Sequence, residues 1–230
     1  MTLQADSCVD RFADEGFVSI ESMLDAGECD ALTAKLDRAS PGSAGSRALL
    51  SQAWCRELAA RMRGHHILRT LLPTAHVAVQ CTYFEKSMSR NWLVPVHQDL
   101  GIPVAERIDH PQLNAWSHKE GSWHVQPPPS VLQQLIAVRL HLDDCLADDG
   151  PLRVVPGSHR LGIIDDETAA AMRRNEGEVA CVGARGSALL MRPLLLHASS
   201  KACGTSLRRV LHMVFGPPAL PFGLRWHHAV

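Results

Sequence analysis

Two hydropathic periods divide the chain. Over residues 1–73 apolar positions recur at helical spacing, whereas from residue 75 they fall into short runs set apart by turn residues. In the first part, "MLDAGECDALTAKLDRA" (23–39) makes Asp25 an N-cap and Glu28 its capping-box partner. Leu32 and Leu36 then share one face before a stop at "SPGSAGS" (40–46). "FVSI" (17–20) reads as a short strand, and "ALLSQAWCRELAARMRGHHILRTLLP" (48–73) as one or two further helices ending at Pro73.

The second part predicts eight strands, at 76–84, 93–99, 134–142, 152–157, 178–183, 187–191, 194–199 and 208–216. Asp149-Gly150 marks a turn, and "DDETAAAMRRN" (165–175) inserts one helix. Eight short strands are what a jelly roll requires. The expected fold class is therefore mainly β with N-terminal helices: a double-stranded β-helix of the cupin-like kind. One domain is expected over 1–230, with a helical flank (1–73) and a jelly-roll core (75–216). The stretch "GIPVAERIDHPQLNAWSHKEGSWHVQPPPS" (101–130) fits neither period. With two tryptophans and three consecutive prolines it is too apolar and stiff for disorder, so it reads as a lid loop over one mouth of the barrel. An irregular structural loop is the competing reading.

Composition narrows the function. At 230 residues, with 46% hydrophobic and 20% charged residues, the chain can bury a full core. A net charge of −1 and a pI near 6.9 give no basic excess, which sets nucleic acid aside as a partner. Seven scattered cysteines without a Cys-x-x-Cys pair suit a reduced, cytoplasmic chain better than a disulfide framework. The first residues lack the apolar core of a secretory signal. The most apolar stretch, "ALLMRPLLLHA" (188–198), is too short to span a bilayer and is broken by Arg192 and Pro193. No membrane partner is expected, and oligomeric state is not legible.

The chemistry begins at "NWLVPVHQDLG" (91–101). Residues two apart in a strand share a face, so His97 and Asp99 project together. "HLDD" offers the same pattern at His141 and Asp143, and spacing alone leaves the two pairs level. A catalytic metal needs a third ligand, for which His141, His159, His197 and His212 are candidates. His197 closes the apolar run "PLLLH". Further on, Arg208 and Arg209 open the strand "LRRVLHMVF" with opposite faces, so one of them can point inward. A buried arginine needs an anion, and no acid in its own strand supplies one. A bound dicarboxylate would serve, and two histidines with one carboxylate are the ligand set of non-haem Fe(II) oxygenases.

At these residues the sequence resembles the phytanoyl-CoA dioxygenase family of Fe(II)- and 2-oxoglutarate-dependent oxygenases. The resemblance rests on "VHQD", "LDDCLADDGPLRVVPGSHRLG", "LLLHASS", "LRRVLHMVF" and the N-terminal "RFADEGFVSIESMLDAGECDAL". It implies that His97, Asp99 and His197 bind the iron. Arg208 would take the distal carboxylate of 2-oxoglutarate, with a hydrogen bond added by Ser199. The implied cofactors are Fe(II), 2-oxoglutarate and O2. The same resemblance puts Asp143 and Asp144 at a strand end, as caps of the following turn; His159, in "PGSHR", reads as a turn residue. Related halogenases replace the carboxylate with a small residue, so the retained Asp99 favours hydroxylation or another oxidation. Many relatives carry a tryptophan where Val96 stands here.

The expected substrate is a small organic molecule. Its candidate contacts are Trp92, Trp123, His124, Gln126, Arg139 and His141, the last two sharing one face of their strand. His212 has the parity of Arg208 and reads as a hydrogen-bonded core histidine, and "RWHHAV" as a frayed terminus. Two alternatives stand beside the oxygenase: a cupin-like metal isomerase or hydrolase without redox chemistry, and a non-catalytic binding barrel.

Overall fold

The computed structural model describes residues 5–39, 45–204 and 206–230; most of the expected stop at 40–46 lies outside them. The chain opens with α1 (Ala5–Glu15), β1 (Phe17–Ile20), α2 (Ala26–Ala39), β2 (Gly45–Ser46), α3 (Ala53–Gly64) and α4 (Leu68–Leu71). Five strands follow: β3 (Val77–Lys86), β4 (Val94–His97), β5 (Ile102–Val104), β6 (Asn114–Lys119) and β7 (Ser122–Gln126). After α5 (Pro129–Leu132) come β8 (Ile136–His141), β9 (Leu152–Val154), α6 (Asp166–Glu176), β10 (Val179–Cys181), β11 (Ala188–Met191), β12 (His197–Ser199) and β13 (Arg208–Gly216).

Local chemistry sets the helix starts. The Asp25 N–H donates to Glu28 Oε2 (2.7 Å) and the Glu28 N–H to Asp25 Oδ1 (2.8 Å), the reciprocal capping box the sequence predicts. Asp165 caps α6 by accepting from the Thr168 N–H (2.8 Å).

The strands form a six-stranded sheet ordered β1-β11-β8-β13-β3-β2 and a four-stranded sheet ordered β10-β9-β12-β4, with antiparallel pairing between the named strands. Alternation then sorts the side chains of the larger sheet. Val138, Leu140, Leu211, Met213, Cys81 and Tyr83 face outward and pack with Phe12, Leu36, Leu58 and Met62 of the helices. This face holds the main core, and the helical flank covers it. The opposite face turns toward the smaller sheet, and its rows of cross-strand partners line the cavity between them. Lys86 stands beside Arg208; four residues along, Thr82, His212 and Arg139 stand side by side.

Residues 101–130 depart from the expected loop. They contain a third antiparallel sheet, ordered β5-β7-β6, whose Ile102, Val104 and Val125 form a second core with Leu135 and Trp226. The alternation was obscured because β5 has three residues and β6 is mostly exposed. The β6–β7 register also slips between Asn114 and Ser117, where Ala115 takes a positive φ of 51°. A tight turn at Glu120 (φ 45°) and Gly121 (φ 83°) joins β6 to β7.

The C-terminus is likewise better anchored than expected. Trp226 is buried and donates to the Pro217 carbonyl, and Val230 exchanges backbone hydrogen bonds with Ala78. All seven cysteines are free, six of them buried. Among the described residues, no helix is long and apolar enough to cross a membrane.

Candidate active site

The centre of the site lies where β4 and β12 run side by side. His97 and His197 are register partners, with ring centroids 4.2 Å apart. In each ring Nδ1 lies against the carbonyl two residues back: Pro95 at 2.9 Å for His97, Leu195 at 2.8 Å for His197. A carbonyl only accepts, so both Nδ1 atoms carry the hydrogen and both Nε2 atoms present a lone pair. The lone pairs face the carboxylate of Asp99, whose backbone N–H is held by the Pro193 carbonyl at 2.9 Å. His97 Nε2 is 3.8 Å from Asp99 Oδ1, and His197 Nε2 is 3.7 Å from Oδ2. The ligand atoms of all three residues lie within 4.8 Å of one another, which suits one divalent ion bound by two imidazoles and a carboxylate. Gln98, between the two ligand positions, points away and fastens the segment through the Leu194 and Gly162 carbonyls and the Ile164 N–H.

A third imidazole stands at this centre. His212 Nε2 is 3.8 Å from Asp99 Oδ2, and its buried Nδ1 has no hydrogen-bond partner. The sequence parity correctly turned His212 inward, but it is not a hydrogen-bonded core histidine. Burial would raise the Asp99 carboxyl; the surrounding His197, His212 and His97, with Arg139, outweigh it and hold the group below its usual value. Burial pushes His197 down against the pull of Asp99 and brings His212 to about 4. Burial therefore favours the neutral rings of His197 and His212 beside an anionic carboxylate.

His97, Asp99 and His197 open on a cavity of about 340 Å³, within the range of small-molecule sites. At its other end Arg208 is buried, donates to the Gly150 carbonyl and keeps an unpartnered Nε. Its neighbour on the opposite face, Arg209, points away from the cavity and pairs with Asp143 through Nε (2.8 Å), Nη2 (2.7 Å) and its own N–H (2.9 Å). Asp143 thus belongs to Arg209, and Asp144 accepts from the Arg185 N–H (2.7 Å), so neither caps its own turn.

Lys86 lies beside Arg208, unforeseen in the sequence. Its Nζ donates to Ser199 Oγ (2.6 Å) and to the Ser200 carbonyl (2.7 Å), leaving a third N–H. Burial, then the neighbouring Arg208 and Arg139, draw it down to about 8. A lysine ending an apolar strand with the parity of Gln80, Thr82 and Phe84 was the available signal. Ser199 Oγ is already committed, accepting from Lys86 and donating to the Gly150 carbonyl at 2.9 Å.

Of the substrate-contact candidates, Trp92, His124 and Arg139 line the cavity. Trp123, Gln126 and His141 do not. Trp123 stacks edge-on with Trp116 and His118, Gln126 pairs with Asn114 across β6–β7, and His141 is buried behind Arg139 and Arg208. His159 reaches back to the Ala13 carbonyl (3.2 Å), outside the cavity.

Several solved structures share this fold. The epimerase SnoN, in complex with Fe3+, alpha ketoglutarate and nogalamycin RO, is similar at a TM-score of 0.70 and 17% identity, covering 95% of this chain and 91% of that one. EctD from S. alaskensis in its apoform gives 0.70 and 20%, covering 99% and 84%. HygX from Streptomyces hygroscopicus with iron bound gives 0.66 and 16%, covering 94% and 87%. No curated protein matches the chain. Residues 12–210 match the phytanoyl-CoA dioxygenase family. That match, over most of the chain, shows that the chain belongs to the phytanoyl-CoA dioxygenase family, whose members are Fe(II)- and 2-oxoglutarate-dependent oxygenases.

Proposed function

We propose that His97, Asp99 and His197 hold the iron, that Arg208 and Lys86 receive the distal carboxylate of 2-oxoglutarate, and that the reaction hydroxylates a small organic molecule. One observation carries this reading. A single cavity has two lone-pair-bearing Nε2 atoms and a carboxylate at one level, and a buried arginine with an unpartnered Nε at another. A chelating dicarboxylate joins the two.

Bound iron, with 2-oxoglutarate and dioxygen, supplies the oxidising power, 2-oxoglutarate leaving as succinate and carbon dioxide. The chain's own residues do the rest. The Pro95 and Leu195 carbonyls hold the Nδ1 hydrogens of His97 and His197, so Nε2 is the atom that each ring offers to the metal. Asp99 stays ionised among three imidazoles and fills the position that a halide would need. Arg208 offers its planar fork and Lys86 its free N–H to the far carboxylate. For Ser199 to join them, its hydroxyl must release the Gly150 carbonyl. Trp92 and His124 line the walls against which substrate would lie. Seven unpaired cysteines support a reducing, cytoplasmic setting.

The test is an anaerobic titration with Fe(II) and 2-oxoglutarate, following the weak visible charge-transfer band. Wild type should develop the band; His197→Ala should fail to hold iron, and Arg208→Ala should need far more 2-oxoglutarate. Iron binding without the band would favour the cupin-like, non-redox alternative. Product analysis then separates hydroxylation, which adds one oxygen atom, from epimerisation, which adds none.

A further inference from the structure

The cavity carries more positive charge than its cofactors neutralise. Arg47, Lys86, Lys119, Arg139 and Arg208 line it, against the single acid Asp99. Arg47 is answered by Glu120, which accepts its N–H at 2.7 Å and Nη1 at 2.9 Å. Lys119, on the mostly exposed β6, stands in solvent. The other three cations are buried. Iron(II), the Asp99 carboxylate and a doubly charged cosubstrate together leave one negative charge, enough for one of the three. Arg208 takes it under the reading above, and Lys86 is partly satisfied by Ser199 and Ser200.

Arg139 remains. It is 7% exposed and has neither a hydrogen-bond acceptor nor an ion-pair partner among the described residues. It projects from β8 next to His212, the imidazole that touches Asp99, so it stands close to the metal centre. Its guanidinium lies 5.5 Å from the ring centre of Phe84, a contact that steadies the fork without neutralising it. Burial, followed by the Arg208 charge, works against its protonation. An unpaired buried cation is costly, and a bound oxyanion is the partner that removes the cost.

We propose that Arg139 is the recognition residue for an anionic group on the substrate, a carboxylate or a phosphate, held beside the metal centre. The inference rests on the oxygenase reading, and it narrows the substrate to small anionic molecules. Arg139 would contribute bidentate hydrogen bonds, which fix orientation as well as affinity.

Calorimetric titration under nitrogen tests this. Protein saturated with Fe(II) and 2-oxoglutarate receives propionate, methyl phosphate or the uncharged propionamide. Propionate or methyl phosphate, whichever matches the substrate's group, should bind saturably to wild type, and propionamide should not. Arg139→Gln should weaken that binding about tenfold or more, and Arg139→Lys should restore part of it. The affinity for 2-oxoglutarate, measured in the same Arg139→Gln protein, should stay within about threefold of wild type, which also shows that the variant folds. The proposal is overturned if neither anion binds, if anion binding ignores Arg139, or if Arg139→Gln loses 2-oxoglutarate instead. The last result would make Arg139 part of the cosubstrate clamp. Wild type that takes up no 2-oxoglutarate would overturn the oxygenase reading itself, before any anion is added.

Discussion

His141 gives a prediction whose size depends little on local detail. The ring is 3% exposed, its Nδ1 has no partner, and it lies behind two guanidinium groups. Burial, then Arg139 and Arg208, bring it down to about 3 from a starting value of 6.5. The sign follows from proton counting. Above pH 6.5 the ring is neutral in both states, and its stabilising contribution is complete. As pH falls below 6.5 the unfolded chain takes up a proton and the folded chain does not, so stability drops until the folded ring protonates near 3.

The loss at about pH 5 is fixed by the unfolded value alone and comes to about 2 kcal/mol relative to pH 7.5. His141→Leu removes the titration with little change in volume and leaves no hydrogen bond unmade, so at pH 7.5 it should lie within about 1 kcal/mol of wild type. Urea denaturation of the metal-free proteins provides the assay. Going from about pH 7.5 to about pH 5, wild type should lose about 2 kcal/mol more than His141→Leu. His212 titrates in the same window but is common to both proteins and cancels. Parallel stability curves over this range would refute the claim that His141 is held neutral.

Two further predictions concern the elements that carry the site. Asp143→Asn removes the charge that meets three Arg209 donors, and should lower stability by about 2 kcal/mol in urea while leaving iron binding intact. Gly150→Ala forces a Cβ to within 2.5 Å of the Ser200 carbonyl at a φ of +64°, and so displaces the carbonyl on which Arg208 and Ser199 rest. The expected result is a lower melting temperature together with 2-oxoglutarate affinity weakened about tenfold; an unchanged affinity would show that the Gly150 carbonyl does not position Arg208.

Where a property depends on one strand, the sequence displayed it. Alternation required Arg208 and Arg209 to take opposite faces, as they do, and separated Arg139 from the apolar face of Val138 and Leu140. The capping box of α2 and the cap of α6 were equally local, since each is closed within three residues. Parity stops where a strand stops. His141 and Asp143 look like a second His-x-Asp, but β8 ends at His141, and the next turn carries Asp143 round to Arg209 on β13. The three-stranded sheet of residues 101–130 was hidden for the same reason, because a bulge at Ala115 breaks the period that would have revealed it.

Lys86 and His212 were harder still. Each has a local parity that turns it inward, yet what brings it into the candidate site is a partner across the cavity: Ser199 for Lys86, and the Asp99 carboxylate for His212. A parity pattern says which way a side chain points and nothing about what waits across the cavity. The resemblance to a family could supply the opposing partner only for residues the family motif names, which is why His97, Asp99, His197 and Arg208 could be brought together as one candidate site. Arg139 falls outside that motif, and its unpaired charge emerges only when both sheets are in place. A buried cation with no hydrogen-bond acceptor or ion-pair partner among the described residues is therefore the feature on which the proposal of an anionic substrate group rests.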